Sequence, residues 1–181
     1  MRSPDSRLVE QIRRGDAAAG RRLVREHYAR VYRFLLGRTG RPELAEDLTQ
    51  ETFVSAWRHL DTFDAGAPLL PWLLGIARRE LLQALRRERP EASLEESAER
   101  ADPTATTFVQ SVELREALRR LPVAEREVVV LHYLEGYRCE EIARILDVPL
   151  GRVKHRLIEA RARLRREWGA DTLSPKEEDR L

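Results

Sequence analysis

The sequence predicts an all-α fold of two small helical domains joined by a flexible linker, the C-terminal one a helix-turn-helix. Three observations carry this expectation. The first half has apolar residues at helical spacing, with no convincing period-two stretch and no Asn-Gly or Asp-Gly hairpin signal before residue 90. Residues Pro90 to Thr107 then hold two prolines, one leucine and no aromatic residue, too little apolar surface to order themselves. Beyond them come a short amphipathic helix, a tight turn and a long basic helix. The expected units are residues 1–90, a linker over 91–110, a second domain over 111–168 and a charged tail over 169–181.

Within the first unit, Ser3-Pro4 starts a short helix that runs to about Arg14. Asp16 can cap a long helix from Ala17 to Arg38, with Leu23, Tyr28, Val31, Phe34 and Leu35 inward. Gly37 and Gly40 break it. Pro42 suits the first turn of the next helix, expected to reach Leu60 with Leu44, Leu48, Phe53, Val54 and Trp57 inward. A loop follows, and a last helix from Pro71 to Arg89 buries Trp72, Leu73, Ile76, Leu81 and Leu85 while carrying Arg78, Arg79, Arg86, Arg87 and Arg89.

In the second unit, Glu140–Leu146 is a short amphipathic helix with Ile142, Ala143 and Leu146 as its buried side. Asp147 tolerates a left-handed backbone, Val148 can plug the corner, and Pro149 fits a helix start. On the helix that follows, Val153, Leu157, Ala160 and Leu164 form one narrow apolar seam. Opposite it stand Gly151, His155, Ile158, Glu159 and Ala162. Arg152, Arg156 and Arg163 flank one side, and Lys154, Arg161 and Arg165 the other. A merely solvated helix would put its charges farthest from the core. This helix puts small, apolar and hydrogen-bonding groups there and brackets them with cations, which suits base edges ahead and phosphates on both sides.

Charge distribution agrees. The net charge of +2 conceals +5 over residues 1–90, −4 over 91–111, +3 over 112–168 and −2 over 169–181. This pattern reads as two nucleic-acid modules on an acidic tether. One cysteine, Cys139, excludes an intramolecular disulfide. No apolar run approaches the ~20 residues needed to span a bilayer, so no stable membrane association is expected. The N-terminus lacks a signal-peptide core, and a cytoplasmic protein is expected. Metal-ligand spacing, a nucleophile constellation and a glycine-rich phosphate loop are missing, so neither an enzyme nor a cofactor is expected.

Several boxes resemble a known family. Asp47-Leu-Thr-Gln-Glu-Thr-Phe53 and Pro71-Trp-Leu-Leu-Gly-Ile-Ala-Arg78 resemble region two of bacterial RNA polymerase sigma factors. Leu121-Pro followed by Arg126, Gly136, Glu140-Glu-Ile-Ala143, Gly151 to Leu157 and Ala160-Arg161 resemble region four. Their order and spacing are similar to those of the small extracytoplasmic-function group, over about residues 8–168.

The resemblance implies a factor that binds core RNA polymerase and promoter DNA, with an anti-sigma factor as a regulatory partner. It assigns polymerase docking to Glu46, Asp47, Gln50 and Glu51. Capture of a flipped −10 base goes to the loop Phe63–Leu70, with Phe63 and Asp64 in it, and contacts along the −10 strand to Arg78, Arg79, Arg86 and Arg87. Reading of the −35 element falls to Lys154, His155, Ile158 and Glu159, with Arg152, Arg161 and Arg165 toward phosphates. Ile158 suits a thymine methyl, Lys154 suits guanine, Glu159 could accept from a cytosine amine, and His155 could equally hold a phosphate.

Departures from the family pattern are Arg138 and Pro149 at the usual serine caps, Asp147 at the turn glycine, and Arg79, Gln83, Arg152 and Glu159 at further positions. They leave the fold intact, and the last four make the promoter sequence unreadable from consensus. Two other classes remain open at this point. A conventional regulator with a dimerising or ligand-sensing first unit predicts symmetric half-sites and no affinity for core polymerase. A helical adaptor or decoy predicts no salt-dependent DNA binding.

Overall fold

The computed structural model describes residues 4–88 and 112–168; the expected linker and tail lie outside the described residues. All regular structure among the described residues is helical. In order these are α1 (Pro4–Arg13), α2 (Ala17–Thr39), α3 (Pro42–Arg58), a 3₁₀ turn (Leu60–Thr62), α4 (Leu69–Glu88), α5 (Val112–Arg120), α6 (Val123–Val129), a wide π turn (Val130–Leu134), α7 (Cys139–Leu146) and α8 (Leu150–Trp168).

Local chemistry sets the boundaries. The Asp16 carboxylate accepts the Ala18 and Ala19 N–H groups at 2.8 and 3.1 Å and starts α2. Gly40, at φ 62, stops it by turning its N–H back to the Leu36 carbonyl. Pro42 opens α3.

The inward face of α3 differs from the expected one. It runs through Ala45, Leu48, Thr49, Thr52, Phe53 and Ala56, whereas Val54 is 51% and Trp57 43% exposed. Two threonines can lie on the buried stripe because each hydroxyl is satisfied within the helix. Thr49 donates to the Ala45 carbonyl at 2.6 Å and Thr52 to that of Leu48 at 2.7 Å. Trp57 instead lays its ring over Gly20, where an added Cβ would come within 2.8 Å of Cζ2. The absent side chain on α2 makes that seat.

The second module forms the helix-turn-helix that its sequence indicates. Glu141 replaces part of the missing cap of α7 by accepting the Arg138 N–H at 2.8 Å. Asp147 takes the left-handed conformation at φ 56, alone among described non-glycine residues. The end of the preceding helix widens into a π turn, where the Glu135 N–H reaches the Val130 carbonyl at 3.0 Å. On α7, Ile142, Ile145 and Leu146 are buried and Ala143 only half-buried.

Ile145 is buried because α7 has a second neighbour. The two modules are packed together, α7 lying across α4. Gly75 permits the crossing: a Cβ there would stand 3.1 Å from the Arg144 carbonyl oxygen and 3.8 Å from the Ile145 Cα. Two ion pairs, Arg78–Glu127 and Arg38–Glu135, join the modules on either side.

Candidate functional site

Three surfaces carry the residues singled out by the sequence. On α3, Glu46, Asp47, Gln50 and Glu51 are all exposed. Val54 sits one turn beyond Gln50 and Glu51 on the same face. With Asp47, Ser55, Arg58, Glu80 and Arg87 these residues line a shallow depression between α3 and α4. Its wall is tied by the Ser55 hydroxyl, which donates to Glu80 Oε1 at 2.5 Å. The depression therefore combines carboxylates, an amide and an apolar centre. Sequence reasoning missed Val54 by assigning it to the core.

The second surface is the loop between α3 and α4. Phe63 is 3% exposed and meets Trp72 edge-on at 5.3 Å, so it anchors the loop and does not turn its ring to solvent. Ala67 is also buried. What projects is Asp64, Ala65 and Gly66. Asp64 shapes this tip: Oδ1 accepts the Gly66 N–H and its carbonyl the Ala67 N–H, both at 2.9 Å. The expected eight-residue loop thus narrows to a three-residue tip.

Along α4, Arg79, Arg86 and Arg87 are exposed, with Arg79 Nε resting on the Gly75 carbonyl at 3.3 Å. Arg78 differs. Its Nε donates to Glu127 Oε1 at 2.8 Å and its Nη2 to Oε2 at 3.1 Å, with little of either side chain exposed. Glu127 also interacts favourably with Arg156 of α8, itself beside Arg152 and Arg78. Burial pushes the Arg156 guanidinium below its ordinary value, as do those two neighbouring cations, while Glu127 opposes them. A carboxylate from α6 thus lies among arginines of both candidate DNA surfaces. A π turn places Glu135 likewise against Arg38, which is 2% exposed and stacked 3.5 Å from the Phe34 ring centroid.

The third surface is α8. Val153, Leu157, Ala160 and Leu164 are buried, as the expected seam requires. Opposite them Ile158 is 59% exposed, with Arg152, Lys154, His155 and Arg165 exposed and Glu159 half-buried. Arg161 is not simply presented to solvent. Its Nε donates to the Tyr133 hydroxyl at 2.5 Å and its guanidinium lies 5.6 Å from that ring centroid. A cation on α8 is thereby held by the π turn, a contact that sequence spacing could not reveal.

No group of three or more His, Cys, Asp or Glu residues among the described ones could hold a metal ion. Among the described residues, no helix is long and apolar enough to cross a membrane.

Comparison with known proteins follows the same division of the chain. Residues 23–91 match the family Sigma-70 region 2, and residues 111–164 match Sigma-70, region 4. The sequence is 35% identical over 167 residues to the ECF RNA polymerase sigma factor SigM of Mycobacterium tuberculosis, covering 91% of this chain and 85% of that protein. The structure of CnrH in complex with the cytosolic domain of CnrY superposes with a TM-score of 0.63 at 27% identity, over 94% of this chain and 100% of CnrH. Sigma factor RpoE of Bartonella quintana, in its complex with the anti-sigma factor NepR, gives a TM-score of 0.57 at 25% identity over 84% and 98%. With both halves matched in order and a relative this similar along nearly its whole length, the chain belongs to the extracytoplasmic-function (ECF) group of RNA polymerase sigma factors, non-catalytic factors that bind core polymerase and direct promoter-specific initiation.

Proposed function

We propose that the two modules divide promoter recognition. Residues 1–90 dock on core polymerase through Glu46, Asp47, Gln50 and Glu51 around Val54, and open and read the −10 element. The loop tip Asp64–Gly66 captures an extruded base, while Arg78, Arg79, Arg86 and Arg87 follow the strand's phosphates. Residues 111–168 read the −35 element with Lys154, His155, Ile158 and Glu159 and grip phosphates with Arg152, Arg161 and Arg165. Residues 91–110 tether the two, so that one protein can span both elements.

The observation that supports this best is Ile158, an aliphatic side chain 59% exposed on a helix whose other side is a sealed seam. Exposed cations bracket it. On a major-groove helix such a residue meets a thymine methyl, and the cations meet phosphates. An anti-sigma partner is part of the proposal, supported by the likeness to RpoE, which was solved in complex with the anti-sigma factor NepR.

Run-off transcription on genomic fragments, with purified core polymerase and with or without this protein, tests the whole reading. Transcripts that start only when the protein is present, downstream of a shared pair of elements, are the expected result. Equal transcription without it would reject the reading.

A further inference from the structure

The family match to region 2 begins at residue 23, so it leaves α1 without a role. Yet α1 reaches the base-capture loop at three separate points. Arg13 Nη2 donates to the carbonyls of Leu60 at 2.8 Å, Phe63 at 3.1 Å and Asp61 at 3.2 Å. Ser6 donates its hydroxyl hydrogen bond to the carbonyl of Ala65, within the projecting tip. Asp5 Oδ2 accepts the N–H of Leu69 at 2.9 Å, where α4 begins.

We infer that α1 is the positioning element of this loop, with Arg13 and Ser6 setting how strictly it discriminates among −10 bases. The inference rests on the proposal that the loop captures a base. Each contact meets a need of the segment it touches. Within the 3₁₀ turn after α3 the Leu60 carbonyl already accepts the Phe63 N–H at 3.2 Å. The Arg13 amino group shares its two hydrogens among that oxygen and the carbonyls of Asp61 and Phe63, and places a cation at a helix C-terminal end. The first turn of α4 leaves N–H groups unpaired, and Asp5 supplies an acceptor and a negative charge there.

Ser6 then fixes the middle. Both shoulders and the centre of the loop are tied to one short helix, which Leu8 and Val9 root in the core at 4% and 0% exposure. The Asp64, Ala65 and Gly66 residues remain outward. A pocket for a flipped base must stand ready before the base arrives, because unstacking is already costly. Side chains on a rooted helix provide such preorganisation better than a free loop can. Arg13 and Ser6 act through the backbone they hold and touch no base themselves.

The test uses holoenzyme assembled from core polymerase and the full chain, with single-stranded −10 oligonucleotides carrying each base at the captured position. Affinity for the preferred base divided by that for the others is the readout. Arg13→Met should lower this ratio about tenfold, the effect of losing one charge-assisted hydrogen bond, with core affinity unchanged. Arg13→Lys, which keeps a cation and donors, should restore part of it, and Ser6→Ala should lower it less.

Amide exchange at Gly66, Ala67 and Leu69 reports whether the ties were loosened, and thermal unfolding whether each variant is folded. Faster exchange with an unchanged ratio in folded Arg13→Met and Ser6→Ala would overturn the inference and leave α1 a structural element. Equal weakening toward all four bases would overturn it too. Substitution of Asp64 and Ala65 separates the two failures: if the ratio does not respond even to those, the base-capture reading of the loop has failed, and the role of α1 falls with it.

Discussion

Arg78 of α4 and Glu127 of α6 form a two-pronged pair, Nε and Nη2 donating to the two carboxylate oxygens at 2.8 and 3.1 Å, across the boundary between the two modules. A guanidinium meets a phosphate with the same fork it offers a carboxylate. In this closed arrangement Glu127 therefore occupies the fork that Arg78 is proposed to offer a −10 strand phosphate. Arg78 cannot serve both at once, and Glu135 holds Arg38 at 3.2 Å on the other side of the interface.

Replacing Glu127 with Gln should therefore loosen the closed arrangement and free Arg78. Losing a largely buried, charged hydrogen-bond partner costs about 1–3 kcal/mol. The energy transfer between dyes on Arg58 and Arg166, both changed to Cys in a Cys139→Ser background, should fall. Affinity for single-stranded −10 DNA should rise. A charge swap, Arg78→Glu with Glu127→Arg, should restore the closed distance without that gain in DNA affinity. Unchanged energy transfer in the Glu127 variant would mean that packing around Gly75 suffices to hold the modules together.

How much of this was legible depends on how far apart the interacting residues lie. The seam Val153–Leu157–Ala160–Leu164, the Asp16 cap and the left-handed Asp147 follow from local chemistry, and the sequence displays them. Apolar size points Val54 and Trp57 inward, whereas the buried stripe of α3 uses Thr49 and Thr52, whose hydroxyls bond within the helix. The loop's resemblance points Phe63 at a base, whereas its packing on Trp72 depends on a contact that only the fold brings about. The pairs Arg78–Glu127 and Arg38–Glu135 join residues 49 and 97 positions apart. Periodicity carries no signal over such distances, so the interface between modules was invisible until the chain was folded.

For the polymerase dock, charge reversal at Asp47 and Glu51 should weaken core binding and leave stability nearly unchanged, because both side chains are exposed. Val54→Asp should weaken it as well, without the unfolding that its expected core position would have caused. Core pull-down together with thermal unfolding checks both. Normal co-purification of the folded Asp47→Lys, Glu51→Lys variant would place the dock elsewhere.

Acid should destabilise the protein partly through His27. Burial holds this imidazole below its ordinary 6.5, with Asp5 and Glu26 opposing and Arg30 adding to the effect. Arg33, Glu135 and Glu141 line the same cleft. Neither ring nitrogen has a hydrogen-bond partner among the described residues. The folded chain thus refuses a proton that the unfolded chain accepts. This contribution is complete above pH 6.5, is lost as pH falls below it, and levels off once the folded imidazole also protonates. Between pH 7.5 and 5, unfolding free energies in urea should fall less steeply for His27→Gln than for the parent. Parallel pH dependences would show that His27 titrates alike in both states.

The −35 reader offers the cleanest separation of specificity from affinity. Ile158 projects from the side of α8 opposite its buried seam, so Ile158→Ala should leave the domain packed. It should relax preference at a thymine position by about 1–3 kcal/mol. Arg165→Ala removes an exposed cation and should weaken binding to every duplex alike, while flattening the salt dependence. Arg161→Ala should do more than this, because its guanidinium is also bound to the Tyr133 hydroxyl and stacked near that ring. It should cost stability as well as affinity, and Tyr133→Phe should reproduce the stability loss alone. Binding to matched and mismatched −35 duplexes at several salt concentrations, beside thermal unfolding, resolves the three behaviours. If Ile158→Ala lowers all affinities equally, the exposed face of α8 does not read bases, and the helix docks on DNA through one of its cationic flanks.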